Sequence, residues 1–211
     1  MTLASCDSRK TAGENPFFTE WDTPHGVPPF DKILPEHFMP AFERGMSLHE
    51  AEIDAITSNK DEATFENTIL AYDNAGQMLA QTELVFGMLC AAETNDRMQA
   101  LQEQAMPLLS AHRDKIRLDD KLFVRVKEVY DRRAALGLDA EQMRLLQKTY
   151  DSFVRAGALL DAEQKARLKE INGQLSLTAV KFGNNILAEN NNFVLELKSD
   201  ELDGLPAGIS T

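Results

Sequence analysis

The chain has 211 residues, with 22 Lys and Arg against 34 Asp and Glu and a formal net charge of −12 at pH 7. Its 43% hydrophobic and 27% charged residues match a soluble globular protein and exclude a disordered one. An acidic surface repels phosphate, which argues against nucleic acid as a partner. The apolar stretches fall far short of the roughly 20 residues of a membrane helix, so no transmembrane segment is predicted.

Residues 1–15 are predicted to form a flexible segment. Leu3 to Cys6 read Leu-Ala-Ser-Cys, which resembles the lipobox at which bacterial lipoproteins are cleaved and lipidated on the cysteine. A basic start and an apolar stretch normally precede that box, but only Met1 and Thr2 stand before it. A trimmed signal peptide and a chance match both stay open. We favour trimming, which predicts lipidation of Cys6, a lipoprotein tether, and a location in the periplasm or cell envelope over the cytoplasm.

Residues 16–35 hold five of the eight prolines and several aromatic side chains. Prolines at this density prevent a helix, and aromatic residues at this density do not stay in water. An extended segment that packs across the rest of the protein is therefore predicted.

Six amphipathic helices are predicted next, because apolar residues recur every three or four positions. Their predicted starts are Pro35, Thr64, Thr94 or Asn95, Asp120, Asp139 and Asp161. The second helix is predicted to run unbroken to about residue 90, and the last two open with capping boxes. These helices indicate an all-α array or bundle.

A short strand is predicted after the sixth helix. Phe193, Leu195 and Leu197 alternate with their neighbours, which is typical of a strand. Such a strand has no partner elsewhere in the sequence to complete its backbone hydrogen bonds.

Motifs that carry chemistry are missing from the sequence. There is no glycine-rich nucleotide loop and no Gly-x-Ser-x-Gly turn. His49 and Glu50 begin like the zinc motif His-Glu-x-x-His, but Ile53 stands where the second histidine is needed. Cys90 lies among apolar residues and is interpreted as a buried side chain. The residues therefore predict no catalytic, cofactor-binding or metal-binding site.

Separated blocks of sequence nevertheless stand in a distinctive order. They include NPFFTEW at 15–21, TPHGVPPFDKI at 23–33, PEHFMPAFE at 35–43, TFENTI at 64–69, FVRAGA at 153–158 and FGNNIL at 182–187. In this order they resemble the start of bacterial peptidyl-dipeptidases, which belong to the thimet-oligopeptidase family of zinc metallopeptidases. The resemblance extends over residues 15–205.

This resemblance implies that residues 16–211 are the helical N-terminal domain of a peptidyl-dipeptidase, one wall of a deep substrate cleft. The family's zinc ligands lie in a later part of a much longer chain, so no catalytic or metal residue carries over. The chain is expected to be inactive alone, without the C-terminal catalytic domain and its zinc. The whole enzyme would release C-terminal dipeptides from short peptides.

A free-standing helical module that binds a peptide or a protein is the alternative. The reading frame after Thr211 distinguishes the two: a continuing frame with His-Glu-x-x-His favours the peptidase, and a stop favours the module. If an opposing wall is missing, the isolated chain should expose apolar surface and self-associate.

Overall fold

The N-terminal segment packs against the helices that follow it, as its composition predicts. The computed structural model describes residues 15–196, 198 and 204, so Cys6 lies outside the described residues. Short 3₁₀ turns occur at Pro16–Phe18, Pro24–Gly26 and Pro35–His37. Phe17 is buried with its ring 5.4 Å from that of Phe38, and the Trp21 indole donates a hydrogen bond to the Pro16 carbonyl.

Helices dominate the rest of the described chain, so the all-α prediction is confirmed. They are α1 (Phe38–Ser58), α2 (Ala71–Asp73), α3 (Gln77–Ala92), α4 (Asp96–Arg117), α5 (Asp120–Asp131), α6 (Ala140–Arg155) and α7 (Ala162–Asn192). A π-helical turn, Phe65–Leu70, leads into α2. Six of the helices in the described part of the chain are long, and α2 is a single turn.

Five of the six predicted helix starts are confirmed, and the first helix begins with the 3₁₀ turn Pro35–His37 before α1 starts at Phe38. Thr64, Asn95, Asp139 and Asp161 each accept a hydrogen bond from a backbone N–H in the first turn. Helix α5 begins at Asp120, as predicted, and Asp119 is its cap. Two adjacent aspartates compete for this role, and the Asp120 carboxylate pairs with Lys165 instead, at 2.5 Å.

The prediction of one unbroken helix from Thr64 to about residue 90 is wrong. The helix breaks between α2 and α3, where Gly76 has φ +74°, a conformation that suits glycine. The Gly76 N–H donates to Glu52 Oε2 on α1 at 2.7 Å. A long-range contact with α1 therefore accompanies the break.

Two cores hold the bundle together. The N-terminal core joins the N-terminal segment, α1, α3 and α4, and its most buried members include Phe38, Phe42, Phe86 and Leu109. The C-terminal core joins the end of α1, the π-helical turn, α5 and α6, and its most buried members include Ile69, Leu122, Val126, Leu146 and Phe153. Helix α1 contributes to both, so it links the two halves of the bundle.

Helix α7 lies mainly against α4. Only Lys165 and Val180 are buried in it, and Lys165 reaches the Leu118 carbonyl as well as Asp120. The helix leaves large apolar side chains exposed, and four of them recur at helical spacing and so share one side of the helix, namely Ile171, Leu175, Phe182 and Ile186. We call these four side chains the apolar face of α7.

The predicted strand does not form over the part that the structure describes. Residues 193–196 follow α7 with no strand assignment, and Leu197 lies outside the described residues. Phe193 is extended, but alternation alone cannot hold a strand whose backbone groups meet no neighbouring strand. None of the described helices is long and apolar enough to cross a membrane.

Candidate functional site

A groove between α4 and α7 is the main concave feature beside the apolar face of α7. Its volume is about 550 Å³. Its apolar lining includes Met106, Leu168, Leu175 and Val180. Asn172 on α7 donates to Asp114 Oδ1 on α4 at 2.8 Å, which fixes the spacing of the two helices. The groove is therefore an apolar trough with defined walls.

One end of this groove is strongly basic. Arg117 and Arg155 line both the groove and a neighbouring cavity of about 460 Å³, which Arg144, Lys148 and Asp151 also line. The four α6 residues among these are spaced by four, three and four positions, so they share one face of the helix. We call Arg117, Arg144, Lys148 and Arg155 the basic end of the groove.

Most cations of the basic end have no partner in the described chain. No hydrogen bond or ion pair joins Arg144, Lys148 or Arg155 to another described residue. Asp151, the nearby carboxylate, accepts a hydrogen bond from Gln147 at 2.9 Å. Four cations beside one carboxylate form a positive surface on a chain whose net charge is −12.

Arg117 also borders a buried phenol. Burial raises the pKa of Tyr72, and the neighbouring Arg117 acts in the opposite direction. The phenol therefore stays neutral around pH 7.

A histidine pair lies on the other side of α4. His49 on α1 and His112 on α4 are joined at 3.0 Å between His49 Nδ1 and His112 Nε2. His112 Nδ1 is 3.5 Å from Glu50 Oε1, and Glu50 Oε2 is 2.8 Å from Lys115 Nζ. A hydrogen bond requires one ring to donate and the other to accept. We assign the tautomers from these two contacts. His49 carries its proton on Nδ1 and donates to His112 Nε2, and His112 carries its proton on Nδ1, whose N–H points toward Glu50.

Both rings are held in the neutral form. Burial is the largest cause that lowers the pKa of His49 and that of His112, and the His112 charge lowers the pKa of His49 further. The hydrogen bond from Lys115 lowers the pKa of Glu50, so that carboxylate stays ionised. The pair thus ties α1 to α4 as neutral imidazoles.

This histidine pair is not a metal centre. In the described ranges, no group of three or more His, Cys, Asp or Glu side chains is placed to hold a metal ion. The two ring nitrogens that face each other bind each other, and His49 lacks the histidine one turn later that the zinc motif needs. The residues present therefore do not fit the zinc of the family that the sequence resembles.

The remaining candidate residues from the sequence are the two cysteines, Cys90 and Cys6. Burial raises the pKa of the half-buried Cys90 thiol to about 11, so it stays protonated and is a poor nucleophile. Cys6, the lipidation candidate, lies outside the described residues. Sequence reasoning missed the basic end, whose signal was the spacing of Arg144, Lys148 and Arg155 on one helical face.

Known proteins similar to the chain are peptidases. It is 40% identical over 176 residues to the dipeptidyl carboxypeptidase of Escherichia coli K12, covering 83% of the chain and 26% of that protein. It is 24% identical over 185 residues to the oligopeptidase A of the same organism, covering 87% and 27%. It is 25% identical over 175 residues to a thimet-like oligopeptidase of Dictyostelium discoideum, covering 81% and 25%.

The chain spans about a quarter of the length of the curated relatives it matches. No family model matches it. The ordered sequence blocks predicted this relationship, and it is confirmed: the chain is related in sequence to the N-terminal region of bacterial peptidyl-dipeptidases.

Proposed function

We propose that the chain is the helical N-terminal part of a zinc metallopeptidase that releases C-terminal dipeptides from short peptides. The observation that carries this proposal is the 40% identity to a dipeptidyl carboxypeptidase over 83% of the chain. In this role the chain forms one wall of the substrate cleft. The zinc ligands are proposed to belong to a later part of the parent protein, as in the family that the sequence resembles.

The apolar face of α7 supports a contact with that later part. Leu175 is 62% exposed and Phe182 is 65% exposed, although both are large apolar side chains. Contiguous apolar surface of this kind marks an interaction site. We propose that the C-terminal catalytic domain is the partner that covers it.

The test starts with the reading frame after Thr211 in the native gene. We expect it to continue and to encode His-Glu-x-x-His. The whole product should then bind zinc, measured by elemental mass spectrometry, and release dipeptides from a short peptide, followed by liquid chromatography. Residues 1–211 alone should do neither. A stop codon after Thr211, or zinc-dependent dipeptide release by residues 1–211 alone, would contradict the proposal.

A free-standing module that binds peptides or proteins is the second candidate function. The basic-ended groove supports it, because such a groove can hold a ligand with no catalytic residues nearby. A natural stop after Thr211, combined with peptide binding by the chain itself, would establish this alternative.

Self-association of the isolated chain follows from the same apolar face. We propose that two chains pair through α7 when the partner domain is absent. Light scattering should then show a species larger than a monomer, and Phe182→Glu should restore the monomer. A strictly monomeric chain that binds no hydrophobic dye would contradict this expectation.

Lipidation of Cys6 is a separate proposal that rests on the Leu-Ala-Ser-Cys sequence. It places the protein in the periplasm or cell envelope. Mass spectrometry of the protein from its native host should show a diacylglyceryl adduct on Cys6, and Cys6→Ser should release the protein from the membrane fraction. An unmodified Cys6 within a longer N-terminal sequence would contradict lipidation.

A further inference from the structure

We infer that the basic end of the groove is part of the contact with the C-terminal catalytic domain, and that this domain meets it with several carboxylate side chains. The inference rests on the proposed function, because it takes that domain as the partner. It adds the chemistry of the partner's surface and a second patch beside the apolar face of α7.

The cations of α6 lie in a row without acidic partners. Arg144, Lys148 and Arg155 are exposed, and no hydrogen bond or ion pair joins them to the rest of the described chain. Arg144 and Lys148 are four positions apart, a spacing at which two like charges destabilise a helix. Asp151 is the carboxylate that lines the same cavity, against four cations. The row therefore keeps an excess of positive charge.

Helix stability accounts for only part of this charge. Arg117 and Arg155 are the last residues of α4 and α6, where a cation interacts favourably with the carbonyl end of the helix dipole. Arg144 and Lys148 lie earlier in α6, outside the last turn in which this interaction acts. These two cations gain nothing from their own helix, so a partner outside the described chain accounts for them better.

The length of the row determines the kind of anion that fits it. Arg144 and Arg155 are 11 positions apart in α6, which is about 16 Å along the helix axis. A charge-assisted hydrogen bond spans about 3 Å, so one carboxylate or phosphate group is too small to neutralise the whole row. Carboxylates on every fourth residue of a helix or every second residue of a strand recur about every 6 to 7 Å. A protein surface with several carboxylates therefore matches the row.

The net charge of the chain favours an attached partner over a free one. At −12 the protein repels free acidic proteins and nucleic acid at long range. A domain of the same polypeptide avoids this barrier, because its effective concentration at the contact reaches about the millimolar range. Once the two surfaces touch, charges farther away than about 10 Å are screened, and the cations of the basic end dominate.

The basic end borders the apolar face of α7. Leu175 of that face lines the same groove as Arg117 and Arg155, so the two patches are continuous. Protein interfaces combine an apolar centre with a polar rim that carries most of the charge. In the proposed contact, the apolar face of α7 is the centre and the basic end is the rim.

Lysine acetylation tests the contact in the whole protein, the product of the native gene. A small amine-reactive ester is added to the whole protein and to residues 1–211, the latter diluted until light scattering shows a monomer, and mass spectrometry measures the rate at each lysine. Lys148 should react at least tenfold more slowly in the whole protein. Lys60 and Lys121, which are exposed away from the groove, should react equally in both. Equal rates for Lys148 would overturn the inference.

Carbodiimide coupling identifies the carboxylate that meets Lys148. The reagent joins an amine to a carboxylate in direct contact, and mass spectrometry of the digested product locates both residues. We expect Lys148 to couple to an Asp or Glu beyond residue 211 of the same polypeptide. Coupling only within residues 1–211, or to a second copy distinguished by isotope labelling, would overturn the inference.

Charge-removing variants of the whole protein measure what the basic end contributes. Arg144→Gln with Lys148→Gln should speed amide hydrogen exchange along α7 about fivefold, as expected for the loss of two exposed ion pairs. The same variant of residues 1–211 should exchange at the unmodified rate, because its cations have no partner to lose. Lys60→Gln with Lys121→Gln is the matched control and should change neither protein. Unchanged exchange in the first variant of the whole protein would overturn the inference.

The peptidase proposal and this inference can fail separately. If the whole protein releases no dipeptides but Lys148 is protected and couples beyond residue 211, the peptidase proposal fails and the contact stands. If the whole protein releases dipeptides but Lys148 reacts as fast as in residues 1–211, the inference alone fails. A stop codon after Thr211 would overturn both.

Discussion

The bundle of α1–α6 buries most of its large apolar side chains, whereas the long helix α7 leaves most of its own exposed. Phe153 in the C-terminal core is fully buried, whereas Phe182 on α7 is 65% exposed. Both belong to regular, well-capped helices, so the difference lies in packing and not in helix formation. The bundle obtains its stability from its own cores, while α7 presents apolar surface outward. The difference shows that the apolar side chains of α7 are left accessible for the contact proposed above, whereas those of the bundle are used within its own cores.

The largest expected effect comes from truncating one phenylalanine in each region. Phe153→Ala should lower the free energy of unfolding by about 3 to 5 kcal/mol, because it leaves a cavity in a packed core. Phe182→Ala should change it by less than about 0.5 kcal/mol, as for an exposed site. Urea denaturation followed by circular dichroism measures both. Similar losses in the two variants would show that α7 is as firmly packed as the bundle.

A smaller effect is expected at the helix break inside the bundle. Gly76→Ala should cost about 2 kcal/mol, because an alanine at φ +74° is strained and its Cβ would lie 2.9 Å from His49 Nδ1. Gly87→Ala in α3 is the matched control. Its Cβ would meet open space, so the better helix propensity of alanine should make this variant slightly more stable. The same denaturation assay decides, and a tolerated Gly76→Ala would contradict the account of the break.

The two predicted capping boxes, those of α6 and α7, should each stabilise their helix by about 1 kcal/mol. Asp139 caps α6 in the bundle and Asp161 caps α7. Asp139→Ala should shift the unfolding transition of the whole protein. Asp161→Ala should mainly speed amide hydrogen exchange along α7, since that helix packs mainly on α4. Uniform exchange changes in both variants would mean that α7 and the bundle open together.

The smallest effect concerns pH and the His49–His112 pair. Burial lowers the pKa of both rings, so the unfolded chain binds more protons than the folded one below about pH 6.5. The contribution of the pair to the free energy of unfolding should therefore be greatest above pH 6.5. It should decrease as the pH falls toward the pKa that the two histidines have in the folded protein, and it should level off below that pKa. Glu50, Glu52 and Glu83 oppose this loss, and Lys115 adds to it.

A substitution isolates the contribution of the pair. His112→Gln should reduce the slope of stability between pH 5 and pH 7, measured by urea denaturation at each pH, since pKa 6.5 lies within that interval. His25→Gln, at an exposed position of the N-terminal segment, serves as the control and should leave the slope as it is. An unchanged slope in His112→Gln would show that the pair does not govern the pH response.

Local features were predictable from the sequence, and long-range ones were not. The caps at Asn95, Asp139 and Asp161 depend on a side chain and the turn beside it, so their residue types reveal them. The break at Gly76 involves Glu52 and His49 on another helix, which no local pattern encodes. The predicted strand rested on alternation alone and lacked a partner.

The candidate site shows the same division. The periodicity of α1 and α4 predicts that His49 and His112 lie on apolar helix faces. It does not predict that these faces pack together and bring His49 Nδ1 within 3.0 Å of His112 Nε2. The spacing of Arg144, Lys148 and Arg155 in the sequence indicates that these three cations of the basic end share one face of α6. Its position beside Arg117 and the trough depends on how α4, α6 and α7 pack.

The distribution of aromatic residues gives the protein two built-in optical reporters. Its single tryptophan, Trp21, packs against the N-terminal core, and all three of its tyrosines pack against the C-terminal core. Tyr130 and Tyr150 even stack with ring centroids 3.8 Å apart. Tryptophan emission therefore follows one half of the bundle and near-ultraviolet tyrosine ellipticity the other. Coincident transitions of the two signals would show that the halves unfold as one cooperative unit.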